Sequence, residues 1–116
     1  MVLLLELFSG TCSVSQTLKT IIPDLQVISL DFNKKMETYT EKEDTFICSD
    51  IMEWDYTDIP IPDYIWASPN CKWYSIARHG TTEEELIKAD KMFLKTFEII
   101  NYFLEKNPNL IWFIQD

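Results

Sequence analysis

The sequence predicts an α/β fold: an open, mostly parallel sheet with helices on its faces. Three observations carry this. Short apolar runs recur along the chain, and they read as continuous stretches (V-L-L-L, L-I-W-F-I) rather than alternating apolar with polar. Strands buried on both faces of a parallel sheet have that pattern. Helical stretches and polar loops separate the runs, which gives alternating βαβ units with right-handed crossovers. Turn formers mark the breaks, at Gly10, Pro23 and Asn107-Pro108-Asn109.

Val2 to Phe8 is the first strand, and it ends in Ser9-Gly10-Thr11. The turn leads into a short helix, Val14 to Ile22, with Val14, Leu18 and Ile21 as its apolar face; Pro23 ends it. Leu25 to Leu30 is the second strand, closed by Asp31. Asn33 to Asp44 is polar, a loop or weak helix. Thr45 to Cys48 is a short third strand, followed by Ser49-Asp50-Ile51. Glu53 to Ile59 is acidic and turn-like. Asp63 to Ala67 is the fourth strand, which runs into Ser68-Pro69-Asn70-Cys71. Ser75 to Thr81 is a loop, and Thr82 to Glu85 is a capping box that opens a long helix reaching Glu105. Leu86, Ala89, Phe93, Phe97, Ile100 and Leu104 recur at helical spacing and form its core-facing stripe. Leu110 to Ile114 is the fifth strand. At a sheet edge it would be apolar and uncovered, which proteins usually avoid. The expectation is a sheet truncated after this strand, covered by a second chain, another copy or a longer form of this chain.

The 116 residues fit one domain, and 47% hydrophobic with 14% aromatic content supports a packed core rather than disorder. The formal charge is −9, from 10 basic and 19 acidic residues. That argues against a general basic surface for nucleic acid. It fits a small cationic or zwitterionic ligand, or simple solubility. Cys12, Cys48 and Cys71 form no C-x-x-C pair, and His79 is the single histidine. This is neither a disulfide framework nor a zinc site. It fits reduced thiols in an intracellular compartment. The apolar start is too short for a secretion signal, and no run has membrane-spanning length.

The residues able to carry chemistry all follow strands. A glycine turn follows the first, Asp31 the second, Asp50 the third, and Cys71 the fourth. In open α/β sheets, ligands bind at the carboxyl ends of strands. An acid after the second strand commonly takes ribose hydroxyls. Cys71 is either a nucleophile or a small apolar filler.

Four stretches, L-E-L-F-S-G-T-C-S-V-S, S-L-D-F-N, S-D-I-M-E-W-D-Y and D-Y-I-W-A-S-P-N-C-K-W-Y-S, resemble the first four motifs of the C5-cytosine DNA methyltransferases. The likeness is nearest to the compact forms carried by phages and other viruses. It implies a Rossmann-like S-adenosylmethionine-dependent methyltransferase fold, with residues 1–116 as a single, partial catalytic domain. It implies that Phe8, Ser9, Gly10 and Thr11 pack on S-adenosylmethionine, that Glu6 reaches its ammonium, and that Asp31, with Phe32 beside it, binds the ribose. Asp50 and Ile51 meet the adenine, and Ser68 and Pro69 shape the loop after the fourth strand. Cys71 adds to C6 of a flipped-out cytosine, because C5 is a poor nucleophile until the ring is attacked. The implied partner is DNA, read through a recognition part missing from these residues or on a separate chain. The implied location is cytoplasm, nucleus or viral factory.

Three departures stand against full activity. Cys12 replaces the second glycine of the loop, Asn70 replaces a proline, and Gln115 stands where the family has the glutamate that assists at N3 of cytosine. A glutamine cannot supply that proton. Two other readings therefore stay open. One is a non-catalytic binding or regulatory module on the same fold. The other is an amino-methyltransferase, whose short motif S-P-N-C loosely resembles.

Overall fold

In the computed structural model, β1 (Val2–Leu7) is the centre of a five-stranded sheet ordered β3-β2-β1-β4-β5. The other strands are β2 (Leu25–Asp31), β3 (Thr45–Cys48), β4 (Tyr64–Ala67) and β5 (Ile111–Ile114). The structure describes residues 2–10, 12–68 and 83–115, without the side chains at 85, 86, 88 and 89. All four strand pairings are parallel. The central position suits β1 because leucines fill both of its faces. Leu3, Leu5 and Leu7 point one way and Leu4 the other, all buried. Each contributes about 1.5–3 kcal/mol by leaving water.

Helix α1 (Ser13–Ile21) crosses from β1 to β2 on one face, over Leu4, Leu25 and Val27. Helix α2 (Glu83–Lys106) precedes β5 on the other face. There Ile99, Ile100 and Phe103 cover Leu3, Leu5, Leu7, Ile28, Leu30, Ile65 and Ala67. Lys19 ties the end of α1 to the segment before β3, at 2.6 Å from Asp44 and 2.7 Å from Glu41. Burial works against its charge, but the hydrogen bonds it donates to Asp44 and Glu41 hold its ammonium above the usual lysine range.

The element order agrees with the sequence reading, and several local expectations do not. The buried side of α1 is Ser15, with Leu18 and Ile22 packed beside it, while Ile21 is 71% exposed. The crossover turns Ser15 rather than Val14 toward the sheet. The stripe on α2 is rotated by about one position. Thr96, Ile99, Ile100 and Phe103 are buried, and Phe97 is 41% exposed. Phe97 packs edge-on against Trp112 of the outer strand, centroids 6.2 Å apart. Thr96 tolerates burial because its hydroxyl donates to the Met92 carbonyl at 2.9 Å. Leu86, Ala89 and the Thr82 cap lie outside the described side chains. Lys34–Tyr39 forms 3-10 turns. The acidic stretch after β3 carries Trp54, buried against the core. Among the described residues β5 is an edge strand, with Ile111, Trp112 and Phe113 all exposed.

Candidate functional site

β2 and β3 lie on one side of β1, and β4 and β5 on the other. The strand order therefore reverses between β1 and β4, and in open α/β sheets ligands bind in the crevice at such a point. The turn after β1 opens there. Phe8, Gly10 and Cys12 have φ of 57°, 52° and 61°, all in the left-handed region. For Phe8 and Cys12 this costs about 1–2 kcal/mol each. Backbone bonds hold the strained turn in place. Ser9 N–H donates to the Leu30 carbonyl at 3.1 Å, and Cys12 N–H donates to the Ser9 carbonyl at 2.9 Å. Gly10 N–H donates to Asp31 Oδ2, also at 2.9 Å.

The ladder continues along the same edge. Ser49 N–H donates to the Asp31 carbonyl, Ser68 N–H to Leu7, and Gln115 N–H to Ala67. The edge thus gathers Glu6, Phe8, Ser9, Gly10, Asp31, Phe32, Asp50, Ile51, Ser68 and Gln115. Their settings differ. Phe32 is 77% exposed, whereas Ile51 is buried in the core under α2. Asp50 is exposed, and its Oδ1 accepts from Met52 N–H at 3.0 Å. Asp31 Oδ1 accepts from Asn33 N–H at 2.9 Å. Thr11, Pro69 and Cys71 lie outside the described residues. Cys12 turns its thiol inward, 3.7 Å from Ser29 Oγ, and not into the crevice.

Two buried polar atoms at this edge have no partner among the described residues: Glu6 Oε2 and Ser9 Oγ. Burial pushes the Glu6 carboxyl up to about 7, although Ser15 hydrogen bonds pull it down. Unsatisfied buried groups are rare in folded proteins, and a ligand with matching polar groups is one way to satisfy them. A β-carbon placed on Gly10 meets nothing within 4 Å, so the turn faces open space. An S-adenosylmethionine molecule has what this edge lacks: a cationic amino-acid end for Glu6, hydroxyls for Asp31, and bulk to fill the space at Gly10. The residues present fit that cofactor. Among the described residues no cluster of ligands fit for a metal exists, and no helix is long and apolar enough to cross a membrane.

The sequence reading missed three contributors. Ser15 holds Glu6 from α1. Ser29 is the neighbour of Glu6 on β2, in register with it. Trp66, opposite Glu6 on β4, donates from Nε1 to Ser68 Oγ at 3.0 Å. The Ser68 hydroxyl then donates to Gln115 Oε1 at 3.4 Å. A polar residue inside an apolar strand was the available signal for Ser29.

No protein family matches the chain by sequence, and no curated protein does. Solved structures do match. The plantazolicin methyltransferase BpumL, in complex with a pentazolic desmethylPZN analog and SAH, aligns with TM-score 0.51 at 12% identity. The alignment covers 91% of this chain and 56% of that one. The same enzyme in complex with SAH gives the same values. Precorrin-6y C5,15-methyltransferase from Geobacter metallireducens GS-15 aligns at TM-score 0.48 and 16% identity, over 90% of this chain and 62% of that one. The chain thus spans 56% of the length of the first of these enzymes. It has the Rossmann-like fold of S-adenosylmethionine-dependent methyltransferases.

Proposed function

We propose that this chain forms the cofactor-binding part of an S-adenosylmethionine-dependent methyltransferase whose acceptor is C5 of cytosine in DNA. One observation carries the cofactor reading. The strained turn at the switch point, braced by Asp31, faces open space and has unpartnered Glu6 and Ser9 atoms beside it. The SAH-bound solved structures of the same fold support it. Ser9 and Gly10 hold the amino-acid end near Glu6; Asp31, with Phe32 beside it, takes the ribose hydroxyls; and Asp50 meets the adenine. When bound, the cofactor supplies an electrophilic methyl group.

The cytosine assignment rests on the motif resemblance through Cys71. The thiolate adds to C6, which makes C5 nucleophilic, and it leaves again once the C5 proton is lost. DNA contacts come from a separate or further basic part, because a net charge of −9 does not hold phosphates.

One observation favours a second reading, a non-catalytic module that keeps the cofactor fold. Gln115 accepts a long hydrogen bond from the Ser68 hydroxyl at 3.4 Å, and its amide can hydrogen-bond a ring nitrogen but cannot transfer a proton to it. Calorimetry with S-adenosylmethionine tests the cofactor site; no heat at high protein concentration sinks both readings. Trapping on DNA containing 5-fluorocytosine separates them. An adduct formed by wild type and lost in Cys71→Ser supports the enzyme. Its absence in both, with cofactor bound, means that this chain is not a self-sufficient cytosine methyltransferase.

A further inference from the structure

We propose that Cys12 and Ser29 are a matched pair of positioning residues. The gap that Ser29 leaves on β2 seats the Cys12 side chain, and this seat lets the turn that presents Ser9 and Gly10 form without crowding the ligand. The proposal rests on the cofactor reading above and adds the residues that shape its turn. Cys12 is the N-cap of α1, with φ 61° and ψ 27°. Left-handed backbone suits glycine and strains a residue with a β-carbon. The Cys12 side chain makes no capping bond to α1. It is 2% exposed and turned toward the sheet, with Sγ 3.7 Å from Ser29 Oγ and 4.0 Å from the Gly10 carbonyl oxygen. Ser29 is buried as well, and the other buried side chains of β2 (Leu25, Val27, Ile28 and Leu30) are all larger and apolar.

The backbone of Cys12 joins the two sides of the turn. Its N–H donates to the Ser9 carbonyl at 2.9 Å. Its carbonyl accepts from Gln16 N–H at 3.0 Å and from Ser15 Oγ at 2.9 Å. A shift of Cys12 therefore carries Ser9 and the first turn of α1 with it. The cavity beside the pair is about 10 Å³, room for about one water. It cannot take a second branched side chain, so a larger residue at position 29 pushes Cys12 out of its seat. Ser9 and Gly10 then leave the places from which they meet the ligand.

The test is calorimetry of S-adenosylmethionine binding to the full chain, at a temperature where circular dichroism shows each variant folded. A purely structural role lowers Tm and leaves the affinity of the folded protein unchanged. Ser29→Val fills the seat and is expected to weaken binding at least about tenfold. Ser29→Ala leaves the seat open and binds within about threefold of wild type. Cys12→Gly has no side chain to seat, so adding Ser29→Val to it changes affinity by no more than about threefold. Independent residues give additive losses instead. Unchanged binding in Ser29→Val, or a tenfold loss that persists when Cys12→Gly is added, overturns the proposal. If Ser29→Val does not fold, the pair requires Cys12→Gly to restore folding, and a double variant that stays unfolded overturns it. Wild type that gives no cofactor heat overturns the cofactor reading, and this proposal with it.

Discussion

Asp31 Oδ2 accepts the Gly10 N–H at 2.9 Å, so the acid that ends β2 holds the turn that ends β1. Each carboxylate oxygen takes one backbone N–H and keeps a lone pair for a ligand hydroxyl. Asp31→Ala removes both bonds. At this half-buried site the loss is about 1–2 kcal/mol, or a fall in Tm on the order of 5–15 °C. Thermal melting by circular dichroism checks it, and an unchanged Tm means the brace is energetically idle.

Gly10→Ala separates stability from binding. Its β-carbon meets nothing, so the cost is the left-handed φ alone, about 1 kcal/mol. The methyl group occupies space meant for the cofactor, and affinity falls at least about tenfold, because a crowded contact of this kind costs on the order of 1.4 kcal/mol or more. Melting and calorimetry on one preparation measure both. A variant that binds as well as wild type shows that the ligand does not approach Gly10.

The strands were legible because each is an apolar run bounded by turn formers, and crossover rules then made the sheet parallel. The acid at Asp31 was legible from its place after the second strand. Its bond to Gly10 was not, because it exists only when Phe8 and Gly10 adopt left-handed backbone. Helix faces were harder to read. Phe97 fits the periodic stripe but is half exposed against Trp112, while Thr96, a polar residue, is buried through a bond to its own helix. Apolar identity does not tell core from margin when the helix lies near a sheet edge. Ser15 was passed over because a serine on a short helix carries no signal until Glu6 is seen beside it; Ser29, a polar residue inside an apolar strand, did carry one.

Glu6 makes the free protein weaker as pH rises. Its folded pKa is about 7, raised from 4.5 by burial, so the native state binds more protons than the unfolded chain between those values. Stability is greatest below about 4.5 and falls through the window to about 7, by about 3 kcal/mol for this group. Glu6→Gln lacks that slope and is the more stable form near pH ~8. Urea unfolding across pH checks it; parallel profiles for the two proteins contradict the assignment.

The rotated face of α2 predicts unequal costs for two phenylalanines. Phe103→Ala empties a fully buried site and costs about 3–5 kcal/mol. Phe97→Ala, at the margin, costs on the order of 1 kcal/mol. Equal losses in denaturant unfolding mean that the helix presents the face its apolar periodicity suggests.

The turn after β1 and the end of β2 are the proposed cofactor site. Amide NMR of isotope-labelled protein titrated with S-adenosylmethionine tests it residue by residue. Saturable shifts are expected at Ser9, Gly10, Asp31 and Phe32, with the amides of Lys19, Gln26 and Glu43 unmoved. Shifts confined to that distant region, or none at millimolar ligand, contradict it.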